Sequence, residues 1–583
     1  MYSQNARQTG SRARLPRRRL LSIAATGGLA FAGQALVACG GNTRSSSNTA
    51  PKAPSAAASP GAAGSLPAGK VNLNATLTSG IGSDVGSMDP QSLAGTGGGN
   101  WPNTATHFPT PLTVDPNTSE VKSYALDWSW VRATPDAPPT ALQLKVKPDI
   151  KFHNGELLNA DQLKFNFERA LGKAAYNPKF QSGIAGNFQT VAGLNVVDEM
   201  TLNVGMTHPD VTLPGQIAAT LFLVPKNYVT QTGDTDFAAK PVGWGPFKFS
   251  SRTPDAELRS DRFDDFFYAR DQQYAPRLPY VAKLVQRVIP QDNDRMAALE
   301  KGEIDMAHNV SSDLARSWEG KSGFKVYYLP GDQPMYIRPD TTIAKDPDSD
   351  QPNPFLDLRV RQAANMAVDL DTIIKTVLTG KEKATFGSAL DSFGFPADLP
   401  AKRFPYDPKQ AKQLLAAAGF ANGIDTNLFY PIGRWPNTEQ VVQAVAGYLK
   451  DAGIRSKIVS QQYQITTTNV KTHKNYGLTF FGMAGGPDPG PNFRYNYHST
   501  GAYTFSSDPQ LGLDALIEQS EQAFDPTARK QLLGQIISKF YEDALCIFLY
   551  EPVTVVVARD KLNWSFYGKV LSVPEYWNIQ VPA

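Results

Sequence analysis

After Gly69, some 510 residues alternate between β-rich runs and capped helices, and this alternation constrains the fold more than any other feature. Such alternation builds mixed α/β layers in which helices cover sheets. In "NADQLKFNFERAL", Asn159 stands as N-cap and Gln162 at the position of a reciprocal capping box, with Leu163, Phe167, Ala170 and Leu171 on one face. "YDPKQAKQLLAAAGF" puts Asp407 at the cap, Pro408 at the first helical position and Gly419 just past the end. The spacing of Val360, Ala364, Ala367, Ile374 and Val377 predicts one helix from Asp357 to Leu378, and further helices are expected at 437–452 and 527–544. Strands are expected at 142–147, 283–289, 325–329 and 553–558.

A body of this length is too long for one core and implies two or three cooperating units. "PGD" at 330–332 and "KDPDSDQPNPF" at 345–355 mark a change of region, so a hinge is expected near 327–335. Strand-like sequence returns after Tyr550, which implies that the C-terminus completes the first unit through a second chain crossing.

The N-terminus reads as an address. Arg17, Arg18 and Arg19 precede a soft apolar run diluted by Gly27, Gly28, Gly33 and Gln34, which suits a cleaved export signal better than a permanent span. Arg17 to Leu21 resembles a bacterial twin-arginine signal, with Pro16 where Ser or Thr is usual. Leu36-Val37-Ala38-Cys39 resembles the lipobox whose cysteine is acylated and becomes the new N-terminus. With Cys39 lipidated only Cys546 remains, within "ALCIFLY", so no internal disulfide is expected and Cys546 reads as a buried apolar residue. The formal charge of +3 resides in the leader: residues 1–38 hold six arginines and no acid, leaving 51 basic against 54 acidic residues. Nucleic-acid binding therefore loses its electrostatic motive. Residues 43–69 are mostly Ser, Ala, Pro, Gly and Thr, with Arg44, Asn48 and Lys52 and a single large apolar residue, Leu66, and read as a flexible tether.

Catalytic patterns are missing. No Ser lies in G-x-S-x-G and the remaining thiol lies in an apolar run, so no activated nucleophile is visible. Histidines 107, 153, 208, 308, 473 and 498 are scattered, without HExxH or paired ligand spacing, and read as structural; no metal or cofactor is expected. "SGIGSDVGS" at 79–87 and "GTGGGN" at 95–100 lack the spacing of a phosphate loop and read as flexible cleft loops. Trp101, Trp244 and Trp435 lie among Gly and Pro, as suits either walls of a ligand cleft or covers of loop cores.

Particular runs then become recognisable. "IKFHNGELLNADQLKFNFERAL", "PVGWGPFKF", "AALEKGEIDMA", "NPFLDLRVRQAANMAVD", "YDPKQAKQLLAAAGF" and "DPTARKQLLGQIISKFYEDALCIFLY" occur in the order seen in one family. Nearly the whole body resembles the peptide/nickel family, family 5, of extracytoplasmic solute-binding proteins that serve ABC importers. The resemblance implies an α/β, periplasmic-binding-protein-like, two-lobed fold with a hinge and an extra subdomain in the first lobe. The boundaries expected are a signal at 1–38, a lipidated Cys39 and tether at 39–69, and a first lobe at 70–330. That lobe would include a subdomain at about 102–222 and be completed by 551–583, with the second lobe at 331–550. The implied role is capture of an oligopeptide-like solute between the lobes and delivery to a membrane permease and its ATPase subunits. The receptor would be monomeric, outside the cytoplasm and lipid-anchored to the bacterial cell membrane, and it would break no bond in the solute.

Peptide receptors of the family hold the ligand's α-ammonium with an aspartate a few residues before an acidic-Pro pair. Here, in "FFGMAGGPDPGPNF", that position falls on Gly485, beside Gly486, while the pair survives as Asp488-Pro489. Trp244 replaces the family's threonine in "PVGWGPF", adding an aromatic group beside the cleft. The ligand set implied is Trp101, Trp244, Arg434, Trp435, Gly485, Gly486, Asp488 and Tyr495. Arg434 is expected to meet a ligand carboxylate or solvent, and Asp488 to compensate for Gly485 or to serve as a turn residue. Arg359 and Arg361 are expected as interlobe or cap partners. An oligosaccharide, an opine or a metal chelate is the alternative solute, and an extracytoplasmic hydrolase the alternative of another class.

Overall fold

The structure is a computed structural model that describes residues 71–583 apart from 94, 96–105, 116–119, 268–278, 332, 348–349, 389, 391, 433, 483–487, 502, 505–510 and 565–575. The leader, Cys39, the tether, Trp101, Gly485 and Gly486 lie outside the described residues.

Three sheets organise the chain. The first has seven strands in the order Phe324–Pro330, Val553–Arg559, Met306–His308, Thr76–Ile81, Lys283–Val288, Glu257–Arg262 and Phe247–Thr253. Thr76–Ile81 runs parallel to both Lys283–Val288 and Met306–His308, which are reached through crossovers. Period-two alternation gives this sheet two buried faces. Val556 and Ala558 join Leu77, Leu284 and Tyr576 on one side, and Val555 and Val557 join Leu299, Ile304 and Trp318 on the other.

The second sheet has the order Ile454–Gln461, Ile424–Pro431, Leu478–Gly482, Met335–Pro339, Ile547–Phe548, its first three strands parallel. It too is covered on both faces. Met335, Ile337 and Phe480 pack with residues of helices Leu358–Ala367, Pro408–Ala417 and Thr438–Ala452, while Tyr336 and Phe481 pack with residues of Leu513–Gln522 and Pro526–Glu542. The third sheet is antiparallel, in the order Leu126–Val131, Ala141–Val146, Thr201–Met206 and Val191–Asp198, with helix Ala160–Ala170 sharing its core.

The chain crosses between the first two sheets twice, from Pro330 to Met335 and from Phe548 to Val553. These crossings lie side by side: the Gly331 N–H donates to the Pro552 carbonyl at 2.8 Å, and a Cβ on Gly331 would stand 2.4 Å from that oxygen.

Two local expectations are corrected. Residues 357–378 form two helices, Leu358–Ala367 and Leu370–Thr376, because Val368 is extended and the Asp369 carboxylate accepts from the Thr372 N–H at 3.0 Å, starting a new cap. Asn159 does cap its helix through the Gln162 N–H, but the box is not reciprocal, since the Gln162 side chain bonds Glu156 and the Lys226 N–H instead. The caps at Asp407 and Gly419 are as expected: Asp407 accepts from the N–H groups of Lys409 and Gln410, and Gly419 takes φ +96°.

Candidate functional site

The registers dictate where a ligand can lie. Met306–His308 pairs antiparallel with Val553–Arg559, His308 opposite Val556, so the carboxyl ends of the parallel strands in the first sheet point towards the crossings. In the second sheet Gly482 pairs with Met335, so the parallel strands there end at the same crossings. Loops leaving carboxyl ends carry ligand sites in open α/β sheets. Here two such loops meet: Ser312, a few residues past His308, donates its Oγ–H to Oδ1 of Asn437 at 3.0 Å. Asn437 follows the strand Ile424–Pro431 and takes φ +56° at the start of Thr438–Ala452. Nearby, Arg316 donates to the Leu378 carbonyl.

Beside Asn437 stands a cationic and aromatic cluster. The Trp435 Nε1–H donates to Oε1 of Gln333, in the first crossing, at 3.0 Å, and Arg434 reaches the same oxygen at 3.4 Å. The Arg434 guanidinium lies 4.8 Å from the Trp435 ring and 5.4 Å from that of Tyr463, at cation–π range. Its Nε is buried without a hydrogen-bond partner among the described residues. Ring contacts continue from Tyr463 to Phe481 at 6.3 Å, to Tyr503 at 5.6 Å and to Tyr495 at 5.2 Å. Arg338, in the strand Met335–Pro339, donates to the carbonyls of Tyr503 and Thr504 at 2.9 and 2.6 Å and holds that end of the row. A Cβ on Gly482 would come within 2.9 Å of Trp435, so the strand end must be bare for the indole to seat.

Thus Arg434, Trp435 and Tyr495 are brought into one row. Trp244 is not: it is 2 % exposed, in the core of the third sheet, 5.8 Å from Tyr124 and 6.1 Å from Phe267. The reason is its loop. The N–H groups of Trp244 and Gly245 both donate to the His107 carbonyl, and Cβ atoms on Gly243 and Gly245 would lie 2.0 and 2.5 Å from the His107 and Thr106 oxygens. His153 clamps the other side, accepting from the Gly243 N–H at Nδ1 and donating from Nε2 to the Gly245 carbonyl. Burial drives the His153 pKa down to about 3, which keeps the imidazole neutral in this clamp. The backbone is thereby pressed flat on its neighbour and the indole is turned inward.

Asp488 is likewise engaged elsewhere. Arg529 donates to both its oxygens at 2.7 and 2.9 Å, and the Gly490 N–H donates to Oδ1 at 2.9 Å. The glycine-rich 79–87 stretch is also pinned, against expectation. Asp84 pairs with Arg252 at 2.7 Å, and just beyond the stretch Asp89 pairs with the fully buried Arg169. Arg359 pairs with its own cap Asp357 and Arg361 holds the carbonyls of Phe355, Leu356 and Asp543, so both serve helix ends.

Gln333, Tyr463, Phe481, Ser312 and Asn437 escaped the sequence reading. Their common signal is position, at or just past a carboxyl strand end or inside a crossing, which becomes visible only once strand order is known. No group of three or more potential metal ligands occurs among the described residues. Nor is any helix among them long and apolar enough to cross a membrane.

Residues 123–505 match the family described as bacterial extracellular solute-binding proteins, family 5, middle. The chain is 24% identical over 437 residues to the glutathione-binding protein GsiB of Pectobacterium atrosepticum, covering 73% of this chain and 79% of that protein. Among solved structures it resembles the Helicobacter pylori periplasmic binding protein DppA in complex with the peptide STSA. The TM-score is 0.73 at 22% identity, over 88% of this chain and 99% of that one. AgaA of Agrobacterium tumefaciens R10, in complex with agropinic acid, matches with a TM-score of 0.71 at 20% identity, over 87% and 99%.

Proposed function

Since the chain belongs to the bacterial extracellular solute-binding proteins of family 5, a receptor family of ABC importers with a two-lobed α/β fold, we propose that it captures a peptide-like solute. The crevice where the two sets of carboxyl strand ends meet is the binding place, and closure delivers the solute to a permease and its ATPases. The observation that carries this is the Ser312–Asn437 contact beside the Arg434, Trp435 and Tyr463 cluster.

Arg434 supplies the specificity. A planar cation whose buried Nε has no hydrogen-bond partner among the described residues, backed by indole and phenol rings, suits a carboxylate at one end of the solute. Charge-assisted hydrogen bonds contribute about 1.5–3 kcal/mol, so replacing Arg434 with alanine is expected to weaken binding by roughly 10- to 100-fold. Asp488 is committed to Arg529 and is therefore not free to hold an α-ammonium as the aspartate of the family's peptide receptors does. That observation favours, as a second reading, carboxylated solutes without a free amine, the opine class among them, over oligosaccharides and metal chelates.

A thermal-shift screen separates the two. A solute at 100 times its Kd stabilises by about 2.7 kcal/mol. Shifts with free-amine peptides support the first reading, whereas shifts only with opine-type acids favour the second. A hydrolase would turn over chromogenic peptides or esters, and no turnover is expected.

The first lobe is assigned to 70–330 with 551–583, its subdomain to about 102–222, and the second lobe to 331–550. Export by the twin-arginine-like leader and anchoring through acylated Cys39 complete the proposal. Mass spectrometry of the mature N-terminus tests it: a diacylglyceryl mass on Cys39 is expected, and an unmodified or differently cleaved end contradicts it.

A further inference from the structure

The third sheet and its neighbours touch the second lobe at Tyr495 and, above all, at one short segment, 521–524. The Val211 N–H donates to the Glu521 carbonyl at 2.8 Å. Trp130 stands edge-on to the Phe524 ring at 5.1 Å, and the Arg132 guanidinium lies 5.2 Å from the same ring. Gly186 faces Tyr495 so closely that a Cβ would meet its ring at 3.2 Å.

Behind that surface runs a relay of ion pairs. Asp488 holds Arg529 through both oxygens, and Arg529 donates its Nε–H to the Ser520 carbonyl at 3.2 Å. The next residue, Glu521, grips Arg494 with both carboxylate oxygens at 2.5 and 2.6 Å, and Arg494 adjoins Tyr495. A Cβ on Gly490 would meet Arg529 at 2.5 Å, Asp488 at 3.1 Å and Thr212 of the subdomain side at 3.4 Å, which ties the relay to the same contact.

We propose that segment 520–524 is a clasp by which the subdomain holds the crevice shut, and that Asp488 and Tyr495 are positioning residues of this clasp, not solute contacts. This rests on the reading that the lobes close over a solute. Its parts are one backbone hydrogen bond, one edge-on aromatic pair and one cation–π contact, each modest on its own. Together they favour the closed form while allowing it to reopen. Asp488 acts through Arg529 by setting the 520–521 backbone, and Glu521 acts through Arg494 by setting the helix Gly490–Asn496 that carries Tyr495.

Hydrogen exchange on the purified, solute-free protein tests the clasp independently of any solute, so failure to find a ligand leaves the result readable. In Phe524→Ala, in the half-exposed Arg132→Ala and in Asp488→Asn, the peptide spanning Val211 is expected to exchange about tenfold faster. The strand Ile424–Pro431 should keep its protection, and Phe524→Trp should restore the wild-type pattern. Unchanged exchange at Val211 in both the Phe524 and Arg132 alanine variants overturns the proposal. So does a loss of protection throughout the second lobe in Arg132→Ala, which would make the contact a general packing element.

Discussion

At the scale of single residues, the "PVGWGPF" loop and His153 demonstrate how a motif can be read correctly and placed wrongly. The bulk of Trp244 was legible in the sequence, but its direction was not. That direction depends on Gly243 and Gly245 meeting the 106–107 backbone, a contact between segments about 135 positions apart. Gly245→Ala would set a methyl 2.5 Å from the Thr106 oxygen and is expected to destabilise by about 3 kcal/mol, read as a lower urea midpoint. Titration at this scale has a definite sign. His153 and His308 are both depressed by burial from 6.5 to about 3, so between those values the unfolded chain binds more protons than the folded one. Their contribution is intact above pH 6.5 and is lost as pH falls towards 3, at about 1.4 kcal/mol per pH unit for each group. Urea midpoints should fall between pH 7 and 4.5, and His153→Gln should flatten that fall. An equal slope in wild type and variant contradicts the buried neutral assignment.

Elements were more legible than single directions, because caps and period-two alternation are local. Strands expected at 142–147, 283–289, 325–329 and 553–558 occur at Ala141–Val146, Lys283–Val288, Phe324–Pro330 and Val553–Arg559. The single helix expected at 357–378 failed for an equally local reason, since the cap at Asp369 competes with helical periodicity and wins. Asp407→Ala removes a cap that satisfies two N–H groups and should cost about 1 kcal/mol of stability, a measurable drop in melting temperature. The crossings make a sharper prediction. A side chain on Gly331 would press on the Pro552 carbonyl, so Gly331→Val should push the two crossing strands apart. Small-angle scattering of that variant is expected to report a larger radius of gyration without solute; an unchanged radius would mean the crossings are not the hinge.

For the whole molecule, six motifs in order were enough to identify the two-lobed fold, since they are caps and turns whose spacing follows from it. The aromatic row that runs from Arg434 to Tyr495 was only partly legible. Arg434, Trp435 and Tyr495 could be picked from the sequence, but Gln333, Tyr463 and Phe481 come together only through the strand order of the second sheet. Asp488 carries the same lesson, for its partner Arg529 lies 41 positions away and no sequence pattern announces the pair. In the proposed receptor, a solute carboxylate is held at Arg434 in a crevice that closes. Calorimetric titration of the purified protein with one peptide in free-acid and C-terminally amidated forms tests it most directly. Saturable binding of the free acid and roughly 10- to 100-fold weaker binding of the amide are expected, a difference abolished in Arg434→Ala. Equal affinity for acid and amide, or a difference that survives Arg434→Ala, would contradict it.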